Sequence, residues 1–576
     1  MPNPDLIPVA TGGHDEAPND WMPASQVRPF IFEDPALVWL QYHGHKYGFK
    51  PDESRYGFLG FIGEKGRQFE RKWTAELAPE AVWVCKEPYE VRAADKLRET
   101  VHLMQQGVPV IAQPALWWAP ARIYGVPDLL VHTSWLIERF PQLLANSQAS
   151  LAAPNLASGK ARGHYVALDV KFTTELDQTK KKQDLQNYTA QVRIYSYALG
   201  HLQGLMPVGA YIVTRDRIPN PLLIQVESTL GQGLDSDLAA IRDQFIDIKL
   251  NGADYVPWQH AIVASNYKND VEQWRTAKRL IASEKTPGGD PCLLYRVTPP
   301  TREQLAVLGY PSLDSLLSVD PARVPFQKCR GIGATYAGQM QCILSANRSA
   351  ACVLPPVDAV PSERPFEFFV DFEYFTNVNV DFEAQWPTLD GCEMIFMIGV
   401  GRDMPDGWSF TTFRAAAENH DDERNMLERF VDFLRAETNG AFADVGTTVI
   451  HHWTSAEVWQ SGRAADRHGF APDHALRNLP WSDLQKTFLQ GPCAIPGAWD
   501  FSLKPVAKAL GQLDPSYDPQ WPGDLDEGLQ AMVMGWRAYA TGNPLQSPEM
   551  TTLTQYLEAD CRALRNLLKW LRSHCG

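Results

Sequence analysis

The stretch Tyr165-Val166-Ala167-Leu168-Asp169-Val170-Lys171 decides how the first half of this chain is read. An apolar run ending in Asp-x-Lys predicts a buried strand that delivers an acid and a base at its end. Side chains two apart on a strand share a face, so Asp169 and Lys171 point the same way. Upstream, Gly125-Val126-Pro127-Asp128 places a second carboxylate next to an apolar strand. Downstream, Leu185 to Leu202 reads as a helix, with apolar Tyr188, Val192, Tyr195 and Leu199 at three- and four-residue spacing. That helix carries Gln191-x-x-x-Tyr195. Asp128 and Asp169 are hard oxygen donors suited to Mg²⁺ or Mn²⁺, with the Val170 carbonyl as a third oxygen. Lys171 beside them can orient a water or stabilise charge developing on a phosphate. Each element alone is common. The ordered set is specific, and it predicts metal-dependent phosphodiester chemistry.

These residues resemble the RecB-like branch of the PD-(D/E)xK superfamily, whose hallmark is a Gln-x-x-x-Tyr helix after the catalytic lysine. The resemblance implies a restriction-endonuclease-like α/β core, with Gln191 and Tyr195 helping to hold DNA or a metal-bound water. It also implies a helix-borne acid within Gly-x-x-His-Glu. Here that stretch is Gly66-Arg67-Gln68-Phe69-Glu70, so Glu70 matches while Phe69 stands where the family often has histidine. Some relatives hold an iron–sulfur cluster through one early and three late cysteines. Cys85 is early, but Cys292 has no Cys-x-x-Cys partner, and no cluster is expected.

The second half carries a different set of acids. Phe366 to Phe372 reads as a strand, and the following Glu373 shares a face with Asp371. Tyr556-x-x-x-Asp560 sets a phenol and a carboxylate one helical turn apart on one face. Together they resemble the DEDD exonucleases of the RNase H-like fold, in the subtype ending in Tyr-x-x-x-Asp. Ile398-Gly399-Val400 looks like that fold's second strand. The family's middle acid falls near Val449 to Glu457; Glu457 is the choice, and Asp483 the alternative. Glu423 reads as an exposed helix charge, and His451 and His452 as structural residues at a strand end.

Between the halves, Arg330-Gly331-Ile332-Gly333 lies between two expected helices and resembles a helix-hairpin-helix module, which would bind DNA backbone through Arg330, Gly331 and Gly333. The prolines of Val353 to Pro365 mark a linker. The expected order is a flexible arm (1–30), a RecB-like nuclease (31–295), the hairpin segment (296–352), the linker (353–365) and an RNase H-like mixed-sheet domain (366–576). The fold class is α/β multidomain.

Composition narrows the function. The chain has 576 residues, 44% hydrophobic and 21% charged, with a formal charge of −15, which excludes a general coat for nucleic acid. A local phosphate track remains compatible with that charge, and Lys180-Lys181-Lys182 could steer a backbone. No secretory leader and no membrane span are read, and nine scattered cysteines fit a reduced, cytoplasmic protein. The expectation is a Mg²⁺- or Mn²⁺-dependent nuclease with two active sites, acting on DNA single strands or ends, with no ATPase motif. The alternatives are an RNA exonuclease, or a nucleic-acid-binding scaffold with an inactive C-terminal domain.

Overall fold

A computed structural model describes residues 13–52, 54, 56–156, 163–174, 182–207, 209–225, 234–255, 258, 272–523, 525 and 528–575. The chain is mixed α/β and divides into two compact units. The first comprises Met1–Asp52, Ile62–Lys278 and Asp381–Leu389; the second comprises Glu53–Phe61, Arg279–Val380 and Asp390–Gly576. No helix among the described residues is long and apolar enough to cross a membrane.

The first unit contributes strands β1 (Met22–Pro23), β2 (Val82–Trp83), β3 (Val110–Ala112), β4 (Leu116–Trp118), β5 (Ile123–Gly125), β6 (Leu129–His132), β7 (Tyr165–Lys171), β8 (Gly209–Thr214) and β9 (Leu222–Gln225). Six form one sheet in the order β2-β3-β6-β7-β8-β9, and β1-β5-β4 form a small second sheet. β7 is central and all but its last residue are buried, as a strand covered on both faces must be. It runs antiparallel to β6 and parallel to β8. The helix Lys182–Gln203 returns the chain from β7 to β8, the crossover a parallel pair requires.

The second unit contains β10 (Phe366–Phe375), β11 (Met394–Met404), β12 (Gly407–Arg414), β13 (Thr448–His452) and β14 (Trp481–Asp483), in the order β12-β11-β10-β13-β14. The first three pair antiparallel, whereas β13 joins β10 in parallel and β14 joins β13 in parallel. The final helix, Pro548–Cys575, packs on this sheet. Gly399 makes that seat possible. It lies opposite Asp371, and a Cβ there would fall 2.7 Å from Leu557 Cγ. Asp371 therefore faces the helix that carries Tyr556 and Asp560.

Several expectations about organisation are corrected. The arm foreseen through residue 30 is folded in much of its described part, because Trp21, Met22, Ala24 and Val27 are buried and Met22-Pro23 pairs with β5. Val353 to Pro365 is not a free linker: Val353 and Ala494 exchange two backbone hydrogen bonds, at 2.9 and 3.0 Å. Residues 296–352 do not stand apart either. In the helix Ala334–Ser349, Asn347 bonds the backbone of Gly497 (2.8 Å) and Ala498 (3.1 Å), within the second unit. Nor is Glu423 exposed. It is fully buried, pairing with Arg467 at 2.6 Å and His468 at 2.8 Å while accepting from the Ile395 amide. Burial raises its pKa, but these partners outweigh that and hold it below the usual range. Lys180 and Lys181 lie outside the described residues, and Lys182 begins its helix.

Gly399→Ala forces Leu557 and the last helix outward and is expected to cost about 1–3 kcal/mol in urea unfolding. Wild-type stability in that variant would contradict the close approach at Gly399.

Candidate active sites

In the first unit the ends of three strands, β3, β6 and β7, meet residues from the interiors of two helices. β6 runs antiparallel to β7, so Asp128, just before β6, meets Asp169 at the end of β7. The Asp128 amide donates to Asp169 Oδ1 at 3.3 Å, and the Val170 amide donates to Asp128 Oδ2 at 2.6 Å. The contact shown for Val170 is thus its N–H on Asp128. Lys171 Nζ lies 2.7 Å from Asp169 Oδ2 and 3.9 Å from Asp128 Oδ2. Burial alone would lower the Lys171 pKa, but Asp169 and Asp128 hold it above its normal range. Lys171 is therefore a fixed ammonium at neutral pH. Asp128 is driven the other way: burial and then Asp169 push its carboxyl well above the usual range.

Gln113, absent from the sequence reading, joins this cluster. It follows β3, which is antiparallel to β6, so its amide donates to the Asp128 carbonyl at 2.8 Å. Its side-chain Nε2 donates to Glu70 Oε1 at 2.5 Å and reaches Asp128 Oδ1 at 3.4 Å. Gln113 has φ +49°, a backbone region disfavoured for a residue with a Cβ. Glu70 sits on the helix Phe58–Leu77, and burial raises its pKa against the pull of Gln113 and Lys171. Phe69, in the histidine position, is fully buried, with ring centroids 5.7 Å from Phe172 and 6.1 Å from Phe382. It packs the Glu70 helix in place.

Gln191 Nε2 donates to Tyr195 Oη at 2.8 Å. Burial and then Asp169 raise the Tyr195 phenol, so it keeps its proton. A Cβ on Gly125 would fall 2.7 Å from Tyr195 Cε1, which explains the glycine before Val126-Pro127-Asp128.

The second unit builds its centre at the carboxyl ends of β10 and β13, which are parallel. Asp371 and Glu373 share a face of β10, and Glu457 begins the helix Ala456–Arg467 just after β13. Asp371 lies beside Glu457. Burial, then Asp560, Glu457 and Glu373, push Asp371 well above the carboxylate range. Burial and Asp560 raise Glu373 likewise. Asp560, also raised by burial, reaches about 6 despite opposition from Lys504 and Trp521. Glu457 is braced by His452 Nδ1 at 3.2 Å. Asp483, the alternative middle acid, is committed elsewhere: its Oδ1 accepts from the amides of Thr454 (3.1 Å) and Gln485 (3.0 Å).

Lys504 and Trp521 complete the centre, and no sequence motif pointed to either. Lys504 Nζ donates to Tyr556 Oη at 2.7 Å, and Trp521 Nε1 donates to Asp560 Oδ1 at 2.8 Å.

In the middle segment, Gly331 (φ +82°) and Gly333 face open space ahead of the helix Ala334–Ser349, with Ile332 buried and Arg330 exposed. Upstream lie the helices Pro299–Val307 and Leu313–Leu317, and the short 3-10 helix Phe326–Lys328 intervenes before the glycines. The Arg330 amide donates to Gln304 Oε1 at 2.8 Å.

Among the described residues, no three His, Cys, Asp or Glu side chains stand in ready metal-ligand spacing. Both donor sets are nevertheless all-oxygen, with Asp169, Glu373, Glu457 and Asp560 buried and Glu70, Asp128 and Asp371 half-buried. Burial first, and neighbouring acids second, raise Asp128, Asp371 and Glu373, and such crowded oxygens suit a hard divalent cation. Neither a protein-family model nor a curated protein sequence matches the chain.

The shift at Asp560 has a signed consequence. Its folded pKa of about 6 exceeds the ordinary 3.8, so the folded chain holds a proton that the unfolded chain releases between those values. In chelator, this group's contribution to stability is full below about pH 4 and is lost as pH rises through about 6. Asp371→Asn removes one repelling charge and should raise stability by about 1–3 kcal/mol at pH 8, with little effect at pH 4. Urea unfolding at both pH values is the check, and destabilisation at pH 8 would oppose the charge-crowding account.

Proposed function

We propose that this chain is a Mg²⁺- or Mn²⁺-dependent nuclease that hydrolyses DNA at two separate centres. The observation that carries the reading is the gathering, in each unit, of buried and half-buried carboxylates from distant segments beside a lysine and a tyrosine. On this reading the first unit is a PD-(D/E)xK nuclease of RecB-like type and the second an RNase H-like DEDD domain. The strand order β12-β11-β10-β13-β14, with its antiparallel and parallel pairings, supports the latter assignment.

Asp128, Asp169 and Glu70 would hold metal in the first centre, and Asp371, Glu373, Glu457 and Asp560 in the second. A divalent cation bound there supplies phosphate polarisation and a water of lowered pKa. The chain's own residues supply the rest. Lys171, held charged by Asp169, offers a cation for the charge that grows on the phosphate. Tyr195 and Tyr556 are held by Gln191 and Lys504, so each hydroxyl has a set direction in which to position a water. Burial excludes bulk water and strengthens every one of these electrostatic contacts.

The test is cleavage of 5′- and 3′-labelled DNA, with RNA alongside, in Mn²⁺ by wild type, Asp169→Ala, Asp371→Ala and the double variant. Each single substitution should remove a distinct product ladder, and the double should remove both. Wild-type protein that leaves DNA intact overturns the DNase reading; cleavage of RNA alone would favour the RNA exonuclease. Gln113→Leu, which unties Glu70 from Asp128, should raise the Mn²⁺ needed for half-maximal cleavage at the first centre about 10–100-fold. An unchanged metal requirement would make Gln113 a packing residue.

A further inference from the structure

The second centre holds positive charge as well as negative. Lys504 is the second residue of the helix Leu503–Leu513, and Lys508 follows on the same face, one turn or ~6 Å further along the axis. Lys504 Nζ lies 4.1 Å from the Tyr556 ring centroid as well as bonding its hydroxyl. Both ammonium groups sit 5.9 Å from the Trp521 ring centroid, and the same indole donates to Asp560. Exposure grades outward along this line. Asp560 is buried, Lys504 and Trp521 are half-buried, and Lys508 is exposed.

We propose that Lys504, Lys508 and Trp521 form a phosphate track along which a single-stranded nucleic acid reaches the second centre. Lys504 meets the phosphate beside Tyr556 and Lys508 meets the neighbouring one. Trp521 is the positioning residue: its ring steadies both ammonium groups and its N–H fixes the carboxylate they lead to. The proposal rests on the nuclease reading of this centre and names its substrate as one strand. Glu373, Glu457 and Asp560 are buried, Asp371 is half-buried, and the approach passes half-buried Lys504, an arrangement that suits one backbone. A chain of net charge −15 repels nucleic acid at long range, so affinity must come from such local cations.

The test uses the full chain in Ca²⁺ and a fluorescent single-stranded oligonucleotide, with affinity followed against salt. Lys508→Ala should weaken binding severalfold and reduce the slope of log affinity against log salt by about 0.7, one single-strand phosphate contact. Lys508→Arg should restore the slope, and a blunt duplex should bind both variants as it binds wild type. A bromodeoxyuridine strand, irradiated on the protein, should cross-link to the peptide running from Leu503 to Trp521. Wild-type affinity and slope in Lys508→Ala, with no cross-link in that peptide, overturns the track. The failure of hydrolysis reads differently. If Asp371→Ala removes no product while Lys508→Ala shows the binding loss, the track stands and the second centre binds without cutting.

Discussion

Like-charged carboxylates held together out of water are the constraint on which both units depend. Burying one unpaired carboxylate is costly, and placing a second beside it is worse. Each unit accepts this in one place and surrounds it with donors. In the first, Lys171, Gln113 and the Val170 amide face Asp128, Asp169 and Glu70. In the second, Lys504 and Trp521 face Tyr556 and Asp560, while His452 braces Glu457. Burial first, and then the neighbouring acids, still raise Asp128, Asp371 and Glu373 despite these donors.

Backbone geometry makes the crowding possible. Asp128 and Asp169 lie at the ends of neighbouring strands and Asp371 and Glu373 in the second half of β10, while helices bring in Glu70, Glu457 and Asp560. Two glycines set the fine spacing. Gly125 admits the Tyr195 ring against the backbone before Asp128, and Gly399 admits Leu557 opposite Asp371. Aromatic packing then fixes what sterics alone would leave loose. Phe69 anchors the Glu70 helix against Phe172 and Phe382, and Trp521 ties Asp560 to the two lysines.

What was legible in the sequence is what short-range periodicity encodes. The strand before Asp169, the strand bearing Asp371, and the helix of Gln191 and Tyr195 each announce themselves within a dozen residues. Their convergence was inferred from order along the chain, and the structure draws the named acids together in each unit. Gln113 was invisible because nothing local marks it: its place follows from the antiparallel pairing of β3 with β6. Lys504 lies 52 residues from the tyrosine it contacts. Glu423 was misread because helical spacing cannot reveal that Arg467 and His468 arrive from another helix and its end to bury it. The prolines after Val353 suggested a linker, yet pairing of Val353 with Ala494 is a long-range contact. Assignment of Asp381–Leu389 to the first unit is likewise a property of packing, not of sequence order.

The central claim is that two independent carboxylate centres each collect divalent metal. Calorimetric titration of metal-free protein with Mn²⁺ tests it without reference to any substrate. The account predicts two separable classes of site, one lost in Asp169→Ala and the other in Asp371→Ala, with the remaining class unchanged in each. An isotherm unaffected by both substitutions would contradict it.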